Sequence, residues 1–259
     1  MKFSENRFAV CRKPVLNPKK RLFCFPSAGA GAAQFVKWHE RVPADVEVWS
    51  IQLPGREHLF QAAKPDDVVT LAGLIRRDIR PLFNLPYFFY GHSYGSVVSY
   101  EVVNQEEKGG GRLPDALLVG ARRAPHLGYE EVISQYSDEK LVAALDQFGG
   151  LPEIIKADAE MLSFYLNTIR YDLKLNERYV VGENHSISVP IAAFYGSDDD
   201  YVKPDQVYAW RKNTKKKFDA HLVQGGHFFM ADADAEFFSL LKKMLGKDSA
   251  DEADDLIAY

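Results

Sequence analysis

Short, almost uninterrupted apolar runs alternate along this chain with longer segments whose apolar residues recur at helical spacing. The runs cover residues 21–25, 46–52, 87–90, 116–120, 190–195 and 218–223, and helix-period stretches at 68–83 and 97–107 lie between them. Runs with so little alternation suit strands buried on both faces of a parallel sheet. Strand–helix alternation of this kind predicts an α/β class, a mostly parallel, doubly wound sheet flanked by helices.

One connection breaks the rhythm. Residues 121–189 separate two predicted neighbouring strands, far more than the roughly 12 to 20 residues a crossover needs. The excess holds two helical patterns. Leu141, Val142, Leu145 and Phe148 share one helix face, which Gly149 and Gly150 stop, and Met161, Leu162, Tyr165, Leu166 and Ile169 share another. The preceding strand ends at the carboxyl edge of the sheet, where ligands bind in such folds. A helical lid insertion over about 126–186 is therefore expected, within a single domain spanning 1–247.

Composition adds mainly exclusions. The 259 residues are 46% hydrophobic and 26% charged, an ordinary globular balance. No apolar stretch approaches the ~18 residues of a membrane span, and residues 1–20 mix charge throughout, so a cytoplasmic location with no membrane partner is expected. The two cysteines, Cys11 and Cys24, form no C-x-x-C, and Cys24 reads as a buried small hydrophobe. Net charge is −4, but Asp248, Asp251, Glu252, Asp254 and Asp255 crowd an acidic tail over 248–259; without those five acids the body carries +1. A near-neutral body gives no electrostatic basis for nucleic-acid binding. The tail reads as solvated and disordered.

The chemistry concentrates at Gly91-His92-Ser93-Tyr94-Gly95, a G-x-S-x-G placed directly after an apolar strand and directly before a helical pattern. That context suits a nucleophile elbow, with Ser93 on a sharp strand-to-helix turn that Gly91 and Gly95 leave room for. A serine needs a base, and His227, in the glycine-rich loop after the last strand, is the candidate. An acid to orient it comes from Asp198, Asp199 or Asp200, which composition alone does not separate. His92 is expected to point beneath the turn. An oxyanion hole takes one amide from Tyr94 and another from the loop 25–31. The rival reading of Gly29-x-Gly31 as a dinucleotide loop fails because position 34 is Gln and no G-K-[ST] follows. No histidine pair has metal-ligand spacing, so neither metal nor cofactor is expected.

These features together resemble the type II thioesterases, stand-alone α/β-hydrolases that serve polyketide, nonribosomal peptide and fatty-acid synthases. The likeness spans about residues 21–245 and rests on FPSAGAG at 25–31, QLPGRE at 52–57, GHSYG at 91–95, GARRAP at 120–125, FGGLP at 148–152, GSDD at 196–199 and GGHFF at 225–229. The resemblance implies an α/β-hydrolase fold with Ser93 as nucleophile, His227 as base, Asp199 as the acid, and Ala28 and Tyr94 as oxyanion amides. Many members carry methionine where Tyr94 stands, a change expected to reshape the mouth of the acyl pocket. It further implies hydrolysis of acyl groups from the phosphopantetheine arm of carrier proteins; a monomer is expected. Such partners favour positive surface. Arg122 and Arg123, just past a strand's carboxyl end, are expected to contact the partner or its arm, whereas Arg211, Lys212, Lys215, Lys216 and Lys217 read as a solvated helix end at the opposite edge. The competing readings are a general carboxylesterase or lipase, and a non-catalytic scaffold that binds carriers.

Overall fold

The computed structural model describes residues 7–151, 153–231 and 236–246. Among these residues seven strands, β1 (Ala9–Val10), β2 (Lys20–Phe25), β3 (Val46–Ile51), β4 (Tyr87–His92), β5 (Ala116–Gly120), β6 (Ile191–Gly196) and β7 (Phe218–Val223), form one sheet in the order β1-β3-β2-β4-β5-β6-β7. Every pairing is parallel except β1 with β3. The six expected runs become β2 to β7 with ends shifted by no more than two residues. The two-residue β1 has too few positions to show a period, so the antiparallel edge escaped the pattern. Strands β3 and β4 are buried along their whole length, whereas β7, at the far edge, is mostly half-buried and leaves Leu222 exposed.

Among the described residues, seven helices accompany the sheet: α1 (Val68–Ile79), α2 (Tyr94–Lys108), α3 (Asp138–Gln147), α4 (Glu153–Lys156), α5 (Ala159–Arg178), α6 (Pro204–Tyr208) and α7 (Glu236–Gly246). Helix α1 starts where the Asp67 carboxylate accepts the Thr70 N–H (2.6 Å), and tightens into a 3₁₀ turn at Arg80–Leu82 because Pro81 cannot continue an α-helical ladder. Helices α1 and α2 pack on one face of the sheet through Leu71, Ile75, Val98 and Tyr100. Helix α7 covers the other face with Phe237, Phe238, Leu241 and Leu245, which meet Trp38, Tyr90 and Phe194.

Between β5 and β6, α3 and α5 pair around a third apolar cluster that includes Leu141, Leu145, Leu166, Ile169 and Leu173. Met161 departs from the expected face: it is 46% exposed, because the packed stripe of α5 runs through Leu166, Ile169 and Leu173 and carries Met161 to its margin. The expected boundary at 247 and the acidic tail over 248–259 lie outside the described residues. Among the described residues no helix is long and apolar enough to cross a membrane.

Leu241 has no exposed surface and joins α7 to the sheet. Leu241→Ala is expected to cost about 2–5 kcal/mol, from lost transfer energy and the cavity left behind. Urea unfolding of the two proteins reads this directly, and a loss under about 1 kcal/mol would mean the α7 layer contributes little to the core.

Candidate active site

Strand β4 runs into α2 through a single residue, Ser93, whose φ of 51° and ψ of −113° lie in a region that a non-glycine residue rarely occupies. The turn holds because its neighbours are pinned. The Ser93 N–H donates to Gly120 O (2.7 Å), and the Ser96 hydroxyl donates to Gly91 O (2.7 Å). A Cβ at Gly91 would sit 2.4 Å from Gly95 O, and one at Gly95 would sit 2.1 Å from Phe25 O. Only glycine lets α2 begin so close to the end of β2.

The acid and the base come from two loops laced together at the same edge. After β6, the Ser197 N–H donates to Val223 O (2.8 Å) and the Asp198 N–H to Gly225 O (2.9 Å). This brings Asp199 to His227: the His227 Nδ1–H donates to Asp199 Oδ2 (2.9 Å), and the Ser93 hydroxyl lies 3.1 Å from His227 Nε2, which accepts its proton in that tautomer. Asp199 Oδ1 accepts the N–H groups of Tyr201 (2.9 Å) and Val202 (3.1 Å). Burial raises the pKa of Asp199, but the His227 contact and these two amides outweigh it, and the carboxyl lies below its usual range. Of the three neighbouring aspartates, Asp198 and Asp200 are exposed and Asp199 is 8% exposed. Rings of Tyr201 (5.7 Å between centroids), Phe228 (5.2 Å) and Phe148 (6.2 Å) surround the imidazole.

His92 lies beneath the turn, wholly buried. Its Nε2–H donates to His227 O (2.9 Å), so its Nδ1 accepts from the Tyr90 hydroxyl (2.8 Å). Burial is the main cause that holds its pKa down to about 3. It is thus a neutral strut that fixes the backbone of the His227 loop.

Ala28 and Ser93 border a cavity of about 40 Å³ that also touches His227. Among the described residues, neither the Ala28 nor the Tyr94 N–H has a protein acceptor. The loop carrying Ala28 is held by neighbours on both sides: the Ser27 N–H donates to Gln34 Oε1 (2.9 Å) and the Gly29 N–H to Asp172 Oδ2 (2.8 Å). Asp172, on α5, also takes a bidentate pair from Arg56, at 2.6 and 2.8 Å, and Arg56 Nη1 donates to Ala30 O (2.9 Å). Both partners are nearly sealed from solvent. This clamp joins the 25–31 loop, the loop after β3 and α5. Sequence reasoning missed it, because the three parts lie far apart in the chain; Arg56 was visible only within the LPGRE stretch.

Two sequence expectations change at the site. The Tyr94 side chain has no exposed surface and lies in the core rather than at the cavity, so it does not shape the mouth. Arg122 is 2% exposed, its guanidinium 4.9 Å over the Tyr129 ring and its nitrogens without protein hydrogen-bond partners among the described residues, so it does not meet a partner's surface. The reason is that Ala121, at a φ of 49°, and the bond from Trp210 Nε1 to Arg122 O turn it inward. Arg123 stays partly exposed, stacked at 4.4 Å over Tyr129. In the basic cluster, Lys212 pairs with Glu183, Lys215 with Glu107 and Lys217 with Asp219, as suits a solvated helix end. Burial pushes the Cys11 thiol up to about 12 and the Cys24 thiol well above its ordinary value, so neither is a ready nucleophile. Among the described residues no group of three or more His, Cys, Asp or Glu is placed to hold a metal ion.

A mostly parallel sheet with serine on the turn after its fourth strand, then aspartate and histidine on later loops, defines an α/β-hydrolase. Within that class the chain belongs to the thioesterase family: residues 20–245 match the Thioesterase domain model. It is 34% identical over 228 residues to the gramicidin S biosynthesis protein GrsT of Aneurinibacillus migulanus, covering 88% of this chain and 89% of that protein. It is 31% identical to the thioesterase PikA5 of Streptomyces venezuelae, covering 85% and 78%. Among solved structures, RedJ, the thioesterase of the prodiginine pathway in Streptomyces coelicolor, superposes with a TM-score of 0.82 at 29% identity, covering 89% of this chain and 94% of that one. BorB, the type II thioesterase of the borrelidin biosynthetic cluster, gives 0.78 at 26% identity, covering 93% and 97%.

Asp172→Asn keeps the shape of the clamp but leaves the Arg56 charge buried without its counter-ion. The expected cost is about 3–5 kcal/mol of stability in thermal or urea unfolding. Turnover, measured well below the melting temperature, should also fall, because the Ala28 loop loses its anchor. Wild-type stability in the variant would show the pair to be dispensable.

Proposed function

We propose that this thioesterase releases acyl groups held as thioesters on the phosphopantetheine arm of carrier proteins in polyketide or nonribosomal peptide synthesis. Ser93 is the nucleophile, His227 the general base and acid, Asp199 the residue that orients it, and the amides of Ala28 and Tyr94 form the oxyanion hole. The reading rests on one observation above the others, the unbroken hydrogen-bonded chain from Asp199 through His227 to Ser93 at the edge of the cavity. The carrier-bound substrate is supported by relatives named for gramicidin S biosynthesis and for a type II thioesterase of a borrelidin cluster.

The steps follow from the geometry. Ser93 Oγ attacks the thioester carbonyl while His227 Nε2 takes its proton, and Asp199 stabilises the imidazolium through Nδ1–H. Negative charge then develops on the carbonyl oxygen, where the two free amides and the amino end of α2 favour it. Collapse breaks the C–S bond, and His227 returns the proton to the departing thiolate. Water, activated by the same imidazole, then attacks the acyl-serine and releases the acid. The tyrosine and phenylalanine rings around His227 limit water and sharpen each of these electrostatic terms.

Segment 126–186 is the lid in this reading, supported by Ile133, Leu145 and Phe148, which form part of the cavity wall. Because α5 is tied to the core through Asp172, opening belongs to α3 and α4 rather than to the middle of α5. Arg123, partly exposed beyond β5, remains for contact with the arm or the carrier.

Ser93→Ala is expected to reduce the turnover of an acyl-loaded carrier protein by about 10⁴- to 10⁶-fold with the melting temperature unchanged within a few degrees. Release of the free pantetheine thiol is the readout. Activity within about tenfold of wild type would overturn the assignment of Ser93. Running matched thioesters and oxygen esters on the wild type separates a thioesterase from a general esterase: the thioesters should turn over faster.

A further inference from the structure

The side of the cavity formed by α3 and α5 is apolar at Leu145, Ile169 and Leu173, with one exception. Asn176 borders the same cavity close to one turn beyond Leu173, and is 3% exposed. Its Nδ2 donates to the Tyr129 hydroxyl (2.9 Å), while its Oδ1 has no protein hydrogen-bond partner among the described residues. Among the described residues, no other one lining this cavity leaves a buried side-chain polar atom in that state. The Tyr129 ring is held in place by the guanidinium groups of Arg122 and Arg123, at 4.9 and 4.4 Å. The amide N–H is taken by Tyr129, and the carbonyl of this cavity-lining side chain keeps no protein partner among the described residues. An amide oxygen sealed from water without a partner is costly, and a site that keeps one is suited to a ligand that brings the missing donor.

We infer that Asn176 is a specificity-determining residue of the acyl chamber, and that its Oδ1 accepts a hydrogen bond from a hydroxyl group carried on the substrate's acyl unit. The inference deepens the proposed function and rests on Ser93 being the acylated residue. Asn176 lines the same cavity as Ser93, so the hydroxyl it meets lies close to the acyl carbonyl, on the second or third carbon. A clip that merely steadies Tyr129 needs only the Nδ2–H of Asn176 and acts on every acyl group alike. An acceptor acts on the hydroxylated ones alone.

The test compares N-acetylcysteamine thioesters of propionate, lactate and β-hydroxypropionate, each kcat/KM divided by the compound's own alkaline hydrolysis rate. The wild type should favour at least one hydroxylated thioester over propionyl by about tenfold. Asn176→Leu should bring that ratio close to one. Equal normalised rates in the wild type, or an advantage that persists in Asn176→Leu, overturn the inference while leaving Ser93 in place. If Asn176→Leu does not fold, Asn176→Ala takes its place in the same comparison, with the same ratio expected. No hydrolysis of any of the three would instead overturn the Ser93 reading, and this inference with it.

Discussion

The amino end of α2 rests on the carbonyl end of β2, at a separation that a side chain on residue 95 would not permit. That contact fixes three things together. It holds Ser93 in its strained conformation, leaves the Tyr94 N–H at the start of α2 without a protein acceptor among the described residues, and sets how near the loop 26–31 comes to the serine. The strain is balanced by burial on every side: β4 is wholly buried, and the Ser93 N–H is tied to the neighbouring strand. The site is a consequence of how the sheet meets one helix, with the later loops brought to it.

Two buried carboxylates organise those later parts, and each is satisfied in a different way. Asp199 spends one oxygen on backbone amides of its own loop and the other on His227, so it stays ionised in a sheltered place and holds the imidazole in the tautomer that accepts from Ser93. Asp172 meets a fixed positive charge, Arg56, and a backbone amide of the loop that carries Ala28. The first carboxylate fixes the His227 imidazole; the second holds the loop that carries Ala28 against α5. Neither is accessible enough to water for solvent to replace its partners.

Much of this was legible in the chain. The apolar runs mark six of the seven strands found among the described residues because parallel strands are buried along their length, and the strand–turn–helix context singles out Ser93 from sequence alone. His227 stood out through its glycine-rich loop, whereas Asp199 was separable from Asp198 and Asp200 only through the family resemblance. Its low exposure and bond to His227 are tertiary facts. Parts that depend on distant pairing were hidden. The Arg56–Asp172 clamp joins residues 116 apart, and β1 is too short to show a period. Arg122 and Arg123 look alike in sequence, yet a turn at Ala121 buries one and leaves the other at the surface. Asn176 sat unremarked in a helix, since its meaning lies in the one polar atom it leaves without a partner.

The central claim is that Ser93 is made nucleophilic by His227. Timed labelling with a fluorophosphonate, mapped by mass spectrometry, tests it most directly. The account predicts a single adduct on Ser93 in the wild type, forming about 10³-fold or more slowly in His227→Ala. An adduct on another residue, or equal labelling rates in the two proteins, would contradict it.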